Sequence, residues 1–554
     1  MKKLAVALLP LLLPIAAQAQ GVVASADPRA TEAGREILHE GGTAADAALA
    51  MMLALTVVEP QSSGIGGGGF FVHHDGKTGT LDTIDGREKA PAAATPERFF
   101  GPDGKPMPFM QAFQGGLSVG VPGNVRLLAM AHGKWGKLEW KALFQPAIKL
   151  AEDGYDVTPP LAGAIRTMAP FWKNFPEITK IYFDKDGQPL PVGAHIRNPA
   201  LGKILREIAD KGPDAFYTGD NAQAIVSSVT SASLHPSDMT LADLAAYQAK
   251  ERKPVCGHYR KYTVCGMGPP SSGATTILQM LGMLERFDMH KLGKDSPVAW
   301  HLIGEAMQLA YADREKFLGD PDFVDVPVAG LIDPGYLAQR SKLISPYRAL
   351  GHYEAGSPPG APKRTAAVQA EVPGTTNFVA VDKAGDVVTM TSTVEGPFGS
   401  QLVANGFVLN NELTDFTLAP ELNGMPVANR VEAGKRPLSS MSPTIVYDEK
   451  GKPVLALGSA GGKRIIMHVM KSLVGVLDWD LSGAEAIALP NLYFDDEGLM
   501  IEGNDAGRAL APGMAKLGPA RAADLGSKLT ILQHTPQGWV GAADPRSVGT
   551  AASE

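Results

Sequence analysis

At Gly374-Thr375 the pattern of this 554-residue chain changes abruptly. Residues 351–373, GHYEAGSPPGAPKRTAAVQAEVP, gather Gly, Pro and small polar residues and keep no period, as an exposed loop does. From Thr375 the period becomes two. TTNFVAVDKAGDVVTMTSTVEGPFG reads as strand, tight turn, strand, with Gly385 supplying the positive φ that a short hairpin turn needs. The hairpin's midpoint falls near Ala384, which sets Thr375 at the start of one strand opposite Thr393 near the end of the other. Two threonines facing each other are by themselves an ordinary sheet contact. Here the pair sits where a loop meets a core strand, a place where a chain can be cut without dismantling its sheet.

The rest of the chain supplies material to surround that hairpin. Residues 28–59 read as two helices broken at Gly41-Gly42, the second capped by Thr43 and Ala-rich behind it. In QSSGIGGGGFFVHHDG, Gly64 to Gly69 satisfy G-x-G-x-x-G, but an apolar strand follows where a dinucleotide site requires a helix. GSAGGKR at 458–464 likewise fails the phosphate-loop spacing, with Arg464 where Ser or Thr would hold magnesium. Helical patterns such as KALFQPAIKLAEDGY and AWHLIGEAMQLAYADREKFL dominate residues 120–350 and are expected to clothe a sheet. No internal repeat and no H-E-x-x-H metal spacing appears, and adjacent His73 and His74 would face opposite ways on a strand. Neither a cofactor nor a metal is therefore expected.

A chain with 44% hydrophobic and 20% charged residues can bury a large core without needing disulfides. Its net charge of −7 gives no footprint for nucleic acid or anionic lipid, which call for clustered Lys and Arg, and leaves small-molecule chemistry. The start, MKKLAVALLPLLLPIAAQAQ, places Lys2 and Lys3 before an apolar run that ends in Ala17-Gln18-Ala19, so residues 1–19 read as a signal peptide. The run is too short to span a bilayer and Pro10 and Pro14 interrupt it. No later stretch of about eighteen apolar residues follows, so a periplasmic or secreted protein without a membrane anchor is expected. The two cysteines lie in PVCGHYRKYTVCGM. A turn at Arg260-Lys261 makes Cys256 and Cys265 directly opposite, with Cα atoms about 4.5 Å apart at the short edge of disulfide geometry. An oxidising compartment favours a bridge; two buried thiols are the other reading.

Further stretches carry a resemblance: VVEPQSSGIGGGG, DGREKAP, VPGNV, QPAIKLAEDGY, GPPSSG, ADREKFLGDPDFV, GTTNF, NNELTDF, KRPLSSMSPT, GSAGGKRI and GAADPRS. In order and spacing they resemble the γ-glutamyltranspeptidase family of N-terminal-nucleophile hydrolases over nearly the whole mature length. The resemblance implies an α/β fold, a four-layer αββα sandwich, built from two intertwined fragments of one precursor that form a heterodimer. Residues 20–374 would be the large fragment and 375–554 the small one. It also implies the chemistry: Thr375 attacks the Gly374 carbonyl, the chain is cut, and the freed α-amine, with a reference pKa of about 7.7–8.0, serves as base toward its own hydroxyl. The implied substrates are γ-glutamyl compounds such as glutathione, with water or an amino acid or peptide amine as acceptor.

Residue by residue, the resemblance makes Thr393 the hydrogen-bond partner of the nucleophile. It makes Arg87 a fork for the donor's α-carboxylate, with Ser439 and Ser440 as hydroxyls for that same group. Glu412 and Asp415 would hold the ammonium, and Gly461 and Gly462 would present the backbone N–H groups of an oxyanion hole. Two positions depart from the commonest pattern. Asn377 stands where a histidine is frequent, and Glu395 where asparagine or glutamate occurs. The interval from Asp415 to Ser439 also lacks the aromatic lid residue of some members.

The rival reading is a cephalosporin or glutaryl-amide acylase, whose substrates lack the ammonium. Glu395, Glu412 and Asp415 argue against it, because such a substrate would leave three acids without a cationic partner in a closed pocket. A periplasmic binding relative that never matures would need a broken set of site residues, and none is broken.

Overall fold

The computed structural model describes residues 21–370, 372 and 374–554; the expected signal peptide lies outside them. Thirteen strands form the two large sheets. In chain order they begin with β1 (Val22–Ser25), β2 (Gly68–His74), β3 (Leu81–Asp85), β4 (Lys250–Arg252), β5 (Val255–Tyr259) and β6 (Tyr262–Gly266). The central hairpin gives β7 (Thr376–Val381) and β8 (Val387–Thr393), followed by β9 (Thr444–Tyr447) and β10 (Pro453–Gly458). Last come β11 (Thr530–Thr535), β12 (Gly538–Ala543) and β13 (Thr550–Ser553). One sheet runs β13-β1-β7-β8-β2-β3-β4 and the other β12-β11-β10-β9-β6-β5.

Strand parity sorts the side chains into layers. Val379 and Val381 of β7 point between the sheets, where they meet Ile445, Ala456 and Leu532. Phe378 and Ala380 point outward onto α1 (Pro28–His39) and α2 (Ala44–Val58). On the far side, Val264, Val446, Leu455 and Ile531 pack under α3 (Gly273–Leu284), α4 (Pro297–Phe317) and α5 (Arg464–Leu477). The result is α, β, β, α. Helix α2 is buried on every face, which its Ala-rich sequence allows, and the Thr43–Asp46 capping box satisfies its first amides. His73 and His74 do face opposite ways: His73 stacks on Trp135 and His74 meets Tyr447 edge-on between the sheets.

The hairpin is held on both flanks by strands that precede it in the chain. β7 pairs with β1, Ser25 opposite Phe378, and β8 pairs with β2, Thr393 opposite Gly68. A break before Thr375 therefore leaves every ladder intact. The departure at Asn377 also falls here: its buried amide bridges the hydroxyls of Thr391 and Thr530, 2.7 Å from each, and so ties one sheet to the other. At the edge of the second sheet the β5–β6 register sets Cys256 opposite Cys265, and the two are bridged. Among the described residues no helix is long and apolar enough to cross a membrane.

Candidate active site

The β7–β8 register runs Val387 with Val381 to Ser392 with Thr376, and one step further places Thr375 opposite Thr393. Their hydroxyls are 3.1 Å apart, Thr375 donating, and the Thr393 hydroxyl also accepts the Glu395 N–H at 2.8 Å. Thr375 has φ +93° and Glu395 φ +75°. Such values are costly for a β-branched residue, on the order of 1–3 kcal/mol, and mark local strain at the Gly374–Thr375 peptide. Gly374 is required by contact as well. A Cβ there would lie 1.7 Å from the Glu395 carbonyl oxygen. The Thr375 N–H donates to the Ser62 carbonyl at 3.0 Å, which also accepts the Val394 N–H at 3.2 Å.

Arg87 follows β3, its own N–H held by Asp85 at 2.8 Å. Its buried guanidinium donates to Glu412, to Asp415 at 2.5 Å, and to the carbonyls of Pro437 at 3.1 Å and Leu438 at 3.0 Å. The expectation that the acids would lack a cation is corrected here, because Arg87 pairs with two of them directly. Glu395 instead accepts hydrogen bonds from Asn411 and from the Val372 N–H.

Glu88, to which the sequence reading gave no role, adds a fourth carboxyl 3.9 Å from Arg87, and neither of its oxygens receives a hydrogen bond. Burial pushes Glu88 up to about 7 against the pull of Arg87, and burial likewise raises Glu412 well above the usual carboxylate range. For Arg87 burial works against the charge, but Glu412, Asp415 and Glu88 outweigh it and raise its pKa. One guanidinium thus faces four carboxyls, Glu88, Glu395, Glu412 and Asp415. The only sequence signal for Glu88 was its adjacency to Arg87 in DGREKAP.

Arg87, Thr375, Thr393, Glu395, Glu412, Asp415, Ser439 and Gly462 line one cavity together with Val372, Met441 and Ile465. Its free volume is only about 10 Å³, so the segment before Thr375 fills it. Two expected members stand back from this lining. The Ser440 hydroxyl accepts from buried Arg314 at 2.8 Å, and the same guanidinium nitrogen donates to Gln369 of the loop at 2.9 Å. Gly461 lies behind Gly462, with His468 under it. The two glycines have φ +129° and +60° in the turn from β10 to α5, and neither N–H donates to another described residue. Cys256 and Cys265 are far along the second sheet and take no part.

A larger cavity of about 910 Å³ borders Lys463 beside the glycines and is lined by Tyr311, Tyr493 and Phe494, but it contains none of the hydroxyls or acids above. Among the described residues no group of three or more His, Cys, Asp or Glu could hold a metal ion.

The arrangement offers a hydroxyl nucleophile, a hydroxyl partner, two candidate oxyanion donors and an acid-rich cradle around one arginine. The profile of the family described as Gamma-glutamyltranspeptidase matches residues 30–554. The chain is 40% identical over 482 residues to the glutathione hydrolase proenzyme of Bacillus subtilis (strain 168), covering 85% of this chain and 80% of that one. It is 39% identical over 548 residues to the glutathione hydrolase proenzyme of Escherichia coli (strain K12), covering 96% and 91%. Among solved structures, the cephalosporin acylase from Bacillus halodurans superposes with a TM-score of 0.84 over 99% of each chain at 26% identity.

Proposed function

The chain belongs to the γ-glutamyltranspeptidase family and is an enzyme of γ-glutamyl hydrolysis and transfer, and we propose that Thr375, freed by self-cleavage after Gly374, is its nucleophile. The observation that carries this reading is the Thr375–Thr393 hydroxyl contact at a strained peptide, at the mouth of a hairpin that stays paired on both sides.

In the cut, the Thr375 hydroxyl adds to the Gly374 carbonyl, the C–N bond breaks, and the acyl group passes to oxygen as an ester. Water then releases the Gly374 carboxylate and leaves Thr375 with a free amine. The relatives named proenzymes support such a maturation. Residues 20–374 and 375–554 then form the working heterodimer. Because Val372 fills the cavity, the cut end has to withdraw before a donor can enter.

In turnover the Thr375 amine takes the proton of its own hydroxyl as the oxygen attacks the γ-carbonyl. The N–H groups of Gly461 and Gly462 stabilise the oxyanion, where one donor is worth about 3–4 kcal/mol. The leaving amine carries off the proton, and water or an amino acid or peptide amine resolves the γ-glutamyl ester on Thr375. The acid excess supports a donor that brings an ammonium, as γ-glutamyl compounds such as glutathione do. Its carboxylate would take over part of the Arg87 fork, with Ser439 and, after the loop releases Arg314, Ser440 beside it. The same excess disfavours the glutaryl-amide reading despite the acylase likeness in fold. A periplasmic or secreted location fits the N-terminal leader and the Cys256–Cys265 bridge.

The test is direct. The purified protein should run as two fragments, the smaller beginning Thr375-Thr376-Asn377, and Thr375→Ala should remain one inactive chain. A stable single chain from the parent, or a cut elsewhere, removes the mechanism.

A further inference from the structure

An N-terminal amine can act as base toward its neighbouring hydroxyl only if its lone pair is turned to that hydroxyl, and a free terminus rotates about N–Cα. Something must therefore hold one of its N–H bonds. In this structure the Thr375 N–H is held by the Ser62 carbonyl at 3.0 Å, in the turn that follows α2. Ser62 is itself gripped from the opposite direction. Lys528 reaches across with its ammonium 2.7 Å from the Ser62 hydroxyl and 3.2 Å from Glu59 in the same turn.

The backbone of Lys528 meets the other half of the site. Its carbonyl accepts the Ala460 N–H at 3.3 Å, one residue before Gly461. That backbone is in turn fixed by Asp544, which accepts the Ser527 hydroxyl at 2.5 Å and the Leu529 N–H at 3.1 Å. The motif GAADPRS thereby gains a role the sequence reading had not given it. Asp544 pins residues 527–529, and Lys528 links the glycine turn to the turn that receives the Thr375 amine.

We propose that Lys528 is a positioning residue for the reaction, which through Ser62 orients the α-amine of Thr375 against the oxyanion turn. The proposal rests on the N-terminal-threonine reading. Lys528 touches neither the nucleophile nor the donor cradle, so its loss should act on the chemical step and leave substrate binding alone. It also joins the two fragments, since residues 59–62 belong to the large one and Lys528 to the small one.

The experiment uses Lys528→Met and Ser62→Ala in the full chain, after prolonged incubation, with a γ-glutamyl anilide as donor. Ser62→Ala keeps the carbonyl that holds Thr375 and removes only the grip of Lys528. Each variant should lower kcat about tenfold with KM changed less than about twofold, the pattern of an interaction made in the transition state. Because both changes break one link, the double variant should be no worse than the poorer single one. Lys528→Arg, which keeps a cationic donor, should recover part of the loss. Should Lys528→Met fail to assemble, Ser62→Ala reads the same link without altering a backbone contact. An unchanged kcat in Ser62→Ala, a loss confined to KM, or losses that multiply in the double variant would overturn the proposal. The parent's fragment pattern separates this outcome from failure of the underlying reading, because an uncut parent removes the free amine altogether.

Discussion

The hydroxyls of Thr375 and Thr393 lie 3.1 Å apart across two adjacent strands, and the same Thr393 oxygen accepts the N–H of Glu395 at 2.8 Å. Thr393 is thus fixed from one side while it meets the nucleophile on the other. Thr393→Val keeps the branched shape and removes the hydroxyl, and should lower kcat by about 10–100-fold, the scale of one positioned hydrogen-bonding group near the reacting atoms. It should also slow the appearance of two fragments. Thr393→Ser should restore most of both, measured by initial rates and by a gel time course. A variant that matures and turns over normally would leave the pair as a sheet contact.

Arg87 is joined to Glu412 and Asp415 before any donor is present, so its removal acts on the fold as well as on binding. Arg87→Ala should still be cut, since self-cleavage involves no free carboxylate, but should lose most activity on γ-glutamyl donors. Stranding buried acids costs about 3–5 kcal/mol where they stay charged. The melting temperature should therefore fall, and fall more at pH 8 than at pH 5, where the acids can take up protons. Arg87→Lys should recover only part, because an ammonium cannot reproduce the fork. A block in cleavage would instead make Arg87 a support of the precursor site.

Glu88 supplies a dependence on pH. The buried carboxyl keeps its proton up to about 7, whereas an unfolded glutamate releases it near 4.3. Folding therefore takes up a proton between these values. The contribution is whole below about pH 4.3 and is lost as pH rises through about 7, where N holds more protons than U. Thermal unfolding of the parent from pH 5 to pH 8 should show this decline, and Glu88→Gln should flatten it. An identical slope in the variant would assign the decline to other groups.

Donor choice follows from four carboxyls around one guanidinium. A γ-glutamyl anilide and its glutaryl counterpart differ only in the α-amino group. The first should be preferred by about 10⁴ in kcat/KM, since a site built to pair a substrate charge rejects the analogue that lacks it. Equal rates would favour the acylase reading.

How much of this was legible in the sequence depended on the distance over which each signal acts. The hairpin centred near Ala384, the Thr43 cap, the opposite facing of His73 and His74 and the Cys256–Cys265 register all follow from periods of two or 3.6 and from turn residues. Each is decided within a few residues by backbone geometry, and the sequence alone determined them. The tertiary structure alone decided the partners. Arg87 closes on Glu412 across 325 positions, Arg314 takes the Ser440 hydroxyl, and Lys528 reaches Ser62 across 466. It also placed Asn377 between the sheets and Val372 in the donor cavity. Such contacts are set by how layers stack and by which buried charge finds a counter-charge. A side chain's type tells what it can bond, and only the packed chain fixes which group stands within reach.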